Sequence, residues 1–408
     1  MTSTAANRHF WVLTLIAAAI LMVTMGSRQS IGLYLSPLNT STGLGIASIS
    51  FAMAIGQFSW GAVQPIAGAI ADKYGTGRVL ATGIILLAIG MAIVPLVSSS
   101  WGLIFSIGLI SACGSGAGSF SVLIGAVAQR MPAEQRDMAA GVINAGGSLG
   151  QFVFAPLTQR LISSFGWMNA MWTTALIALL TLPLARALKS PARKPASPTE
   201  REQTLRAAVK QALTDPSYLL LHAGFFTCGF HIAFLITHLP GEVQLCGLPG
   251  SVAGWSLAII GLGNIVGSIA AGWGMTRARG KYILFWMYAS RAILVGAYLL
   301  APKTETTFYL FAAGLGLTWL ATVPPTAGIV GKLFGTRYLG TLFGLTLLSH
   351  QIGGFFGAWL GGLAMDANGN YQWMWYADIA LALLAALSNL PIKEPKVIRT
   401  PVELKPAT

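Results

Sequence analysis

Charge is what this 408-residue chain has least of: Asp, Glu, Lys and Arg together make up 9% of it, and only 12 residues are acidic against 25 basic. Soluble proteins carry about a quarter charged residues, so the composition excludes a water-soluble globular protein of two or three domains. Cysteine is also scarce. Cys113, Cys228 and Cys246 are odd in number and lack metal-ligand spacing, which excludes a disulfide framework or a zinc site. No GxGxxG, Walker loop, HExxH or nucleophile elbow stands in a suitable context. Neither an enzyme, a metal nor a cofactor is expected. Without an ATP-binding domain, any active transport has to draw on an ion or substrate gradient.

What the chain has instead is apolar sequence, 54% of its residues, in windows of about 20 that fit a bilayer. Twelve such spans run at 10–36, 48–71, 78–98, 101–129, 136–162, 167–187, 218–239, 252–275, 281–301, 305–331, 337–363 and 372–391. The first is too long for a signal peptide and is followed by eleven more. With the amino terminus inside, 21 of the 25 basic residues fall in cytoplasmic segments; only Arg160 and Lys303 lie outside, and Arg28 and Arg291 lie within spans. That asymmetry predicts a multi-pass membrane protein with both termini cytoplasmic. The formal net charge of +13 is topology, not a nucleic-acid footprint.

One long polar stretch, Arg186 to Pro216, divides the spans six and six. The expected organisation is an amino-terminal bundle at 1–187, a cytoplasmic linker at 188–216 whose part from Pro198 to Leu213 reads as a surface helix, a second bundle at 217–392 and a tail at 393–408. A shift of 203 residues superimposes Gly26 on Gly229, Pro37 on Pro240, Gly141 on Gly344, Gly150 on Gly353, Gly166 on Gly369 and Trp172 on Trp375. One constant offset implies duplicated six-helix halves with a substrate site between them. The same offset lays Arg28 on His231, either by chance or because both are functional.

Between spans 2 and 3 lies GAIADKYGTGR, residues 68–78, with a degenerate copy, GWGMTRARGK, at 272–281 that lacks the aspartate. Gly68 suits close helix packing, Gly75 a turn, and Lys73 and Arg78 hold the loop on the cytoplasmic side. The motif, with twelve spans and a split middle, resembles the major facilitator superfamily. The resemblance implies a gating role for Gly68, Asp72, Gly75 and Arg78, with Arg130 and Arg136 as ionic partners of Asp72. SRQSIGLYLSPL in span 1, the run from Arg136 to Trp167 and GNYQWMW before span 12 resemble the bacterial branch of its monocarboxylate-transporter-like members. In the animal branch a lysine near the position of Arg28 belongs to the substrate pathway. An aspartate and an arginine also stand in span 8 of the animal proteins, whereas WSLAIIGLGNIVGSIAAGWGM here carries no charge.

Arg28 sits some 18 residues into span 1, where a charge costs about 2.5–3.5 kcal/mol. No acid lies in the membrane core of the first half, so a carboxylate substrate, bound bidentately by the guanidinium, supplies the missing countercharge; otherwise Arg28 snorkels to the periplasmic rim. Asn144, Gln151, His231 and His350 are the further substrate-binding candidates; each histidine either donates to a carboxylate, carries a coupled proton or bonds a backbone carbonyl. Arg291 and Asp378 match in depth and form either an intramembrane ion pair or a proton relay. Serines 111, 115 and 119 and threonines 318, 322 and 326 form stripes that serve helix packing or ligand contact.

The reading is a secondary active transporter of a small organic anion, monocarboxylate-like, working as a functional monomer by alternating access with proton symport. The alternatives are an anion exchanger of dicarboxylate type, an efflux pump for hydrophobic compounds and a non-transporting membrane receptor.

Overall fold

A computed structural model describes residues 3–128, 133–189, 205–275, 277–335 and 338–395. Among these the secondary structure is helical throughout. Nine stretches are long and apolar enough to cross a membrane. One of them, 139–187, holds two of the expected spans: the helix Ala133–Leu180 breaks at Gly166, whose φ of 80° lies in the region open to glycine. The helices Leu339–Asn368 and Gln372–Asn389 follow the ninth, giving the twelve crossings of the sequence reading. Of the linker's surface helix, Leu205–Leu213 is helical, and the part before it lies outside the described residues.

Two spans depart from a plain helix. Span 4 is built of short pieces and includes a π-helical stretch, Ile104–Ser111, a geometry that often marks function. Span 10 is interrupted between Glu305–Thr318 and Val323–Phe334. Pro324 and Pro325 open the second piece; lacking N–H groups, they cannot continue the ladder from the first.

The repeat is built into the packing. A methyl group on Gly150 would collide with the Met22 carbonyl, and one on its counterpart Gly353 with the Phe226 carbonyl. Span 1 therefore lies on span 5 as span 7 lies on span 11, backbone to backbone, as small residues permit in a bilayer.

The halves meet through span 2 against span 11 and span 5 against span 8. At the end remote from the chain termini they are closed: Asp366 accepts a hydrogen bond from the Ala47 N–H at 3.2 Å, and Phe51 packs on Phe355 and Trp359. At mid-depth Gly61 lies against Gln351, and Gly261 against Ser148. Two turns further along the same helical faces, at Gly68, Gly344 and Gly141, and three turns beyond Gly261 at Gly272, an added methyl would meet no described atom within 4 Å. Among the described residues the halves thus part as a V toward the end that carries the termini.

Candidate functional site

Arg28 lies in the last turn of the helix Ser3–Gln29 and is half-buried. Its guanidinium donates to Gln57 Oε1 and stacks over the Trp60 ring at 4.2 Å from the centroid. Both partners are neutral, and no carboxylate among the described residues lies within salt-bridge distance of it. Ser27, Gln57, Ile107, Ser111 and Ser115 join Arg28 around a narrow cavity of about 40 Å³ in the first half. The π-helical stretch of span 4 contributes Ile107 and Ser111. Ser115 and Ser119 bond carbonyls of their own helix, so the stripe is partly packing and partly lining.

Other expected residues lie elsewhere. Asn144 is half-buried on span 5, four residues before Ser148. Gln151 is fully buried, and neither of its amide atoms has a partner. His350 Nδ1 is 3.1 Å from Gln351 Nε2, and its Nε2 has no partner. A wider cavity of about 180 Å³ between the halves at the closed end is lined by Gly32, Gln159, Gln244, Tyr371 and others, none of them expected site residues.

His231 does not face Arg28 across the interface. It is 1% exposed, and its Nδ1 lies 2.6 Å from Asp378 Oδ2 in span 12. The salt bridge expected between Arg291 and Asp378 is therefore not formed. Arg291 donates instead to the carbonyls of Thr318 and of Trp319, the latter at 2.7 Å. These carbonyls flank the interruption of span 10, where the helical ladder no longer supplies donors. Depth put Arg291 and Asp378 at one level, but the broken helix competes for the guanidinium.

Two residues that sequence reasoning missed tie this region together. Asn264 donates to Ser148 Oγ at 2.7 Å and accepts from the Leu320 N–H at 2.8 Å, joining span 5 to the break of span 10. Gln57 is the described polar side chain that holds Arg28. Asn264 is the lone amide of span 8 and Gln57 one of two amides in span 2, visible signals because an idle amide is costly in lipid.

Of the gate motif, Gly75 ends the helix Ile46–Tyr74 with φ 95°, and Thr76 Oγ1 donates to the Leu188 carbonyl at 2.5 Å. Arg78 is exposed. Arg130 lies outside the described residues, as do the side chains of Asp72 and Arg136.

Comparison with known sequences decides the family: the profile described as Major Facilitator Superfamily matches residues 17–358. The chain belongs to the Major Facilitator Superfamily. It is 30% identical to monocarboxylate transporter 13 of Bos taurus over 343 residues, which cover 80% of this chain and 74% of that one. It is 23% identical to the oxalate:formate antiporter of Oxalobacter formigenes, covering 91% and 88%. Among solved structures, an inward-open xylose transporter of E. coli superimposes with a TM-score of 0.72 at 15% identity, covering 96% and 98%. This superfamily member is a multi-pass membrane transporter.

Proposed function

We propose that this transporter carries a small organic monocarboxylate by alternating access, with Arg28 as the anion-binding residue and protons as the coupling ion. One observation carries the reading: Arg28 is a charged side chain inside the bundle whose described partners, Gln57 and Trp60, bear no countercharge. A guanidinium in low dielectric with open donors binds a carboxylate through two parallel hydrogen bonds. The sequence relatives named for monocarboxylates support the substrate class. The bilayer is the bacterial inner membrane with both termini cytoplasmic, so the V is the inward-open state; Asp72, Arg130 and Arg136 latch its open end in the opposite state. The bundles 1–187 and 217–392 are the rocking bodies, and the monomer is the working unit.

The test is uptake of pyruvate, lactate, formate and oxalate into proteoliposomes. The wild type is expected to take up at least one monocarboxylate, driven by an inward pH gradient, and Arg28→Gln is expected to lose it. Uptake that survives Arg28→Gln would contradict the role of Arg28. The relative that exchanges oxalate for formate supports a second reading, anion exchange, marked by uptake that needs an internal anion and ignores the pH gradient.

A further inference from the structure

The second half contains a buried charge cluster that anion binding at Arg28 leaves without a role. His231 and Asp378 lie 2.6 Å apart at 1% and 0% exposure. Each keeps one polar atom without a partner, His231 Nε2 and Asp378 Oδ1, and so does Arg291 through one guanidinium nitrogen. Arg291 of span 9 interacts with Asp378; Cys228 of span 7 and Tyr288 of span 9 interact in turn with Arg291, and His350 of span 11 with Cys228. Span 10 adds the Trp319 ring, 5.9 Å from that of His231. Polar contacts then lead out to the interface. Cys228 contacts Thr322 at 3.3 Å and interacts with His350, His350 holds Gln351, and Gln351 lies against Gly61, one turn from the Gln57 that holds Arg28.

We propose that the His231–Asp378 pair is the binding site of the coupling proton, and that its occupancy controls anion binding at Arg28. The inference rests on the anion reading of Arg28. In the proton-free form of the pair, Nδ1–H is donated to the Asp378 carboxylate, Nε2 is bare, and Arg291 and Asp378 sum to zero. A proton arriving at Nε2 turns the cluster to +1 in a medium where an uncompensated charge is costly. An anion entering between the halves offsets that charge, so proton and anion favour each other's binding. By linkage the effect is reciprocal, typically about 5- to 150-fold. When the anion departs, the same proton leaves Nε2.

This charge accounting separates two substitutions that a structural role would not. Asp378→Asn leaves Arg291 and a neutral His231, fixing the cluster at +1, the charge of the protonated wild type. Anion exchange measured by counterflow is expected to persist at the wild type's acid-pH rate at every pH, while accumulation driven by a pH gradient disappears. His231→Gln holds the cluster at zero, and anion affinity is expected to remain at the weak alkaline value, about 5- to 150-fold below wild type at acid pH. The probes are pyruvate, lactate, formate and oxalate in proteoliposomes, with gel filtration as the check on folding. Gradient-driven accumulation that survives Asp378→Asn, or a pH profile shifted the same way by both variants, overturns the proposal. If the variants fail to fold, the wild type decides. Adding a transported acid to weakly buffered, purified protein is expected to take up about one proton per anion bound, and binding with no proton uptake overturns the proposal. If the wild type carries none of the four acids, the anion reading falls and this one with it. Transport with no proton effect removes this one together with proton coupling and leaves anion binding at Arg28 standing.

Discussion

Arg28 and Arg291 put the same side chain inside opposite halves of one repeat, and their surroundings have little in common. Arg291 is 1% exposed and holds the carbonyls of Thr318 and Trp319 where span 10 is interrupted, with the Asp378 charge close enough to interact. Arg28 is half-buried and has a neutral amide and a ring face. The first is engaged by its own protein, whereas the second still has a countercharge to find. Duplicated halves have thus diverged in chemistry while keeping their packing, as the matched contacts of Gly150 and Gly353 attest. A buried charge is a functional candidate only after its partners are known.

The largest expected effect breaks the comparison on the Arg291 side. Arg291→Leu strands two carbonyls and leaves Asp378 without its nearby positive charge, a loss of about 3–5 kcal/mol, and thermal unfolding of the purified variant should show it as poor yield or early melting. Arg28→Gln is expected to melt like wild type and instead to lose carboxylate uptake, its binding weakened by at least about 1.5–3 kcal/mol, the range for hydrogen bonds to charged groups. If the two phenotypes are exchanged, the assignment of structural and functional arginine is reversed.

A packed and an unpacked glycine of span 11 offer a second contrast. Gly353 has no room for a side chain, so Gly353→Leu should lose at least about 1–3 kcal/mol by overpacking. Gly344→Leu, nine residues earlier on the same helix in the parted region, should leave melting unchanged and slow counterflow, because a leucine there obstructs closure. Unchanged counterflow would mean that the V does not close along this face. The smallest effect is expected at the closed end. Asp366→Asn weakens a carboxylate contact to the start of the helix Ile46–Tyr74, about 0.3–1 kcal/mol. Accessibility of a cysteine introduced near the closed end should rise about two- to fivefold.

The fold was legible because bilayer length, basic-residue placement and the register of 203 each act locally along the chain. Gly166 is where spans 5 and 6 divide, and two of the glycine pairs matched by the register, Gly26 with Gly229 and Gly150 with Gly353, became matched contacts. Arg28 was legible as a problem, since the acid inventory already left it without a partner, but Gln57 and Trp60 were not legible as its neighbours. The partner of Asp378 was not legible either. Depth along a helix follows from counting residues, whereas choosing between His231 and Arg291 depends on helix rotation and on a competing acceptor, the carbonyls freed by the break in span 10. The Asn264 contacts need three helices at once, and no spacing in one helix encodes that.

The central claim is that an anion held by Arg28 and a proton held in the second half move together as a neutral pair. It is tested most directly by imposing a pH gradient and a membrane potential separately on proteoliposomes containing the wild type, using valinomycin and potassium to set the potential. The account predicts that monocarboxylate uptake follows the pH gradient and is indifferent to the potential. Uptake that follows the potential, or that ignores the pH gradient, would contradict it.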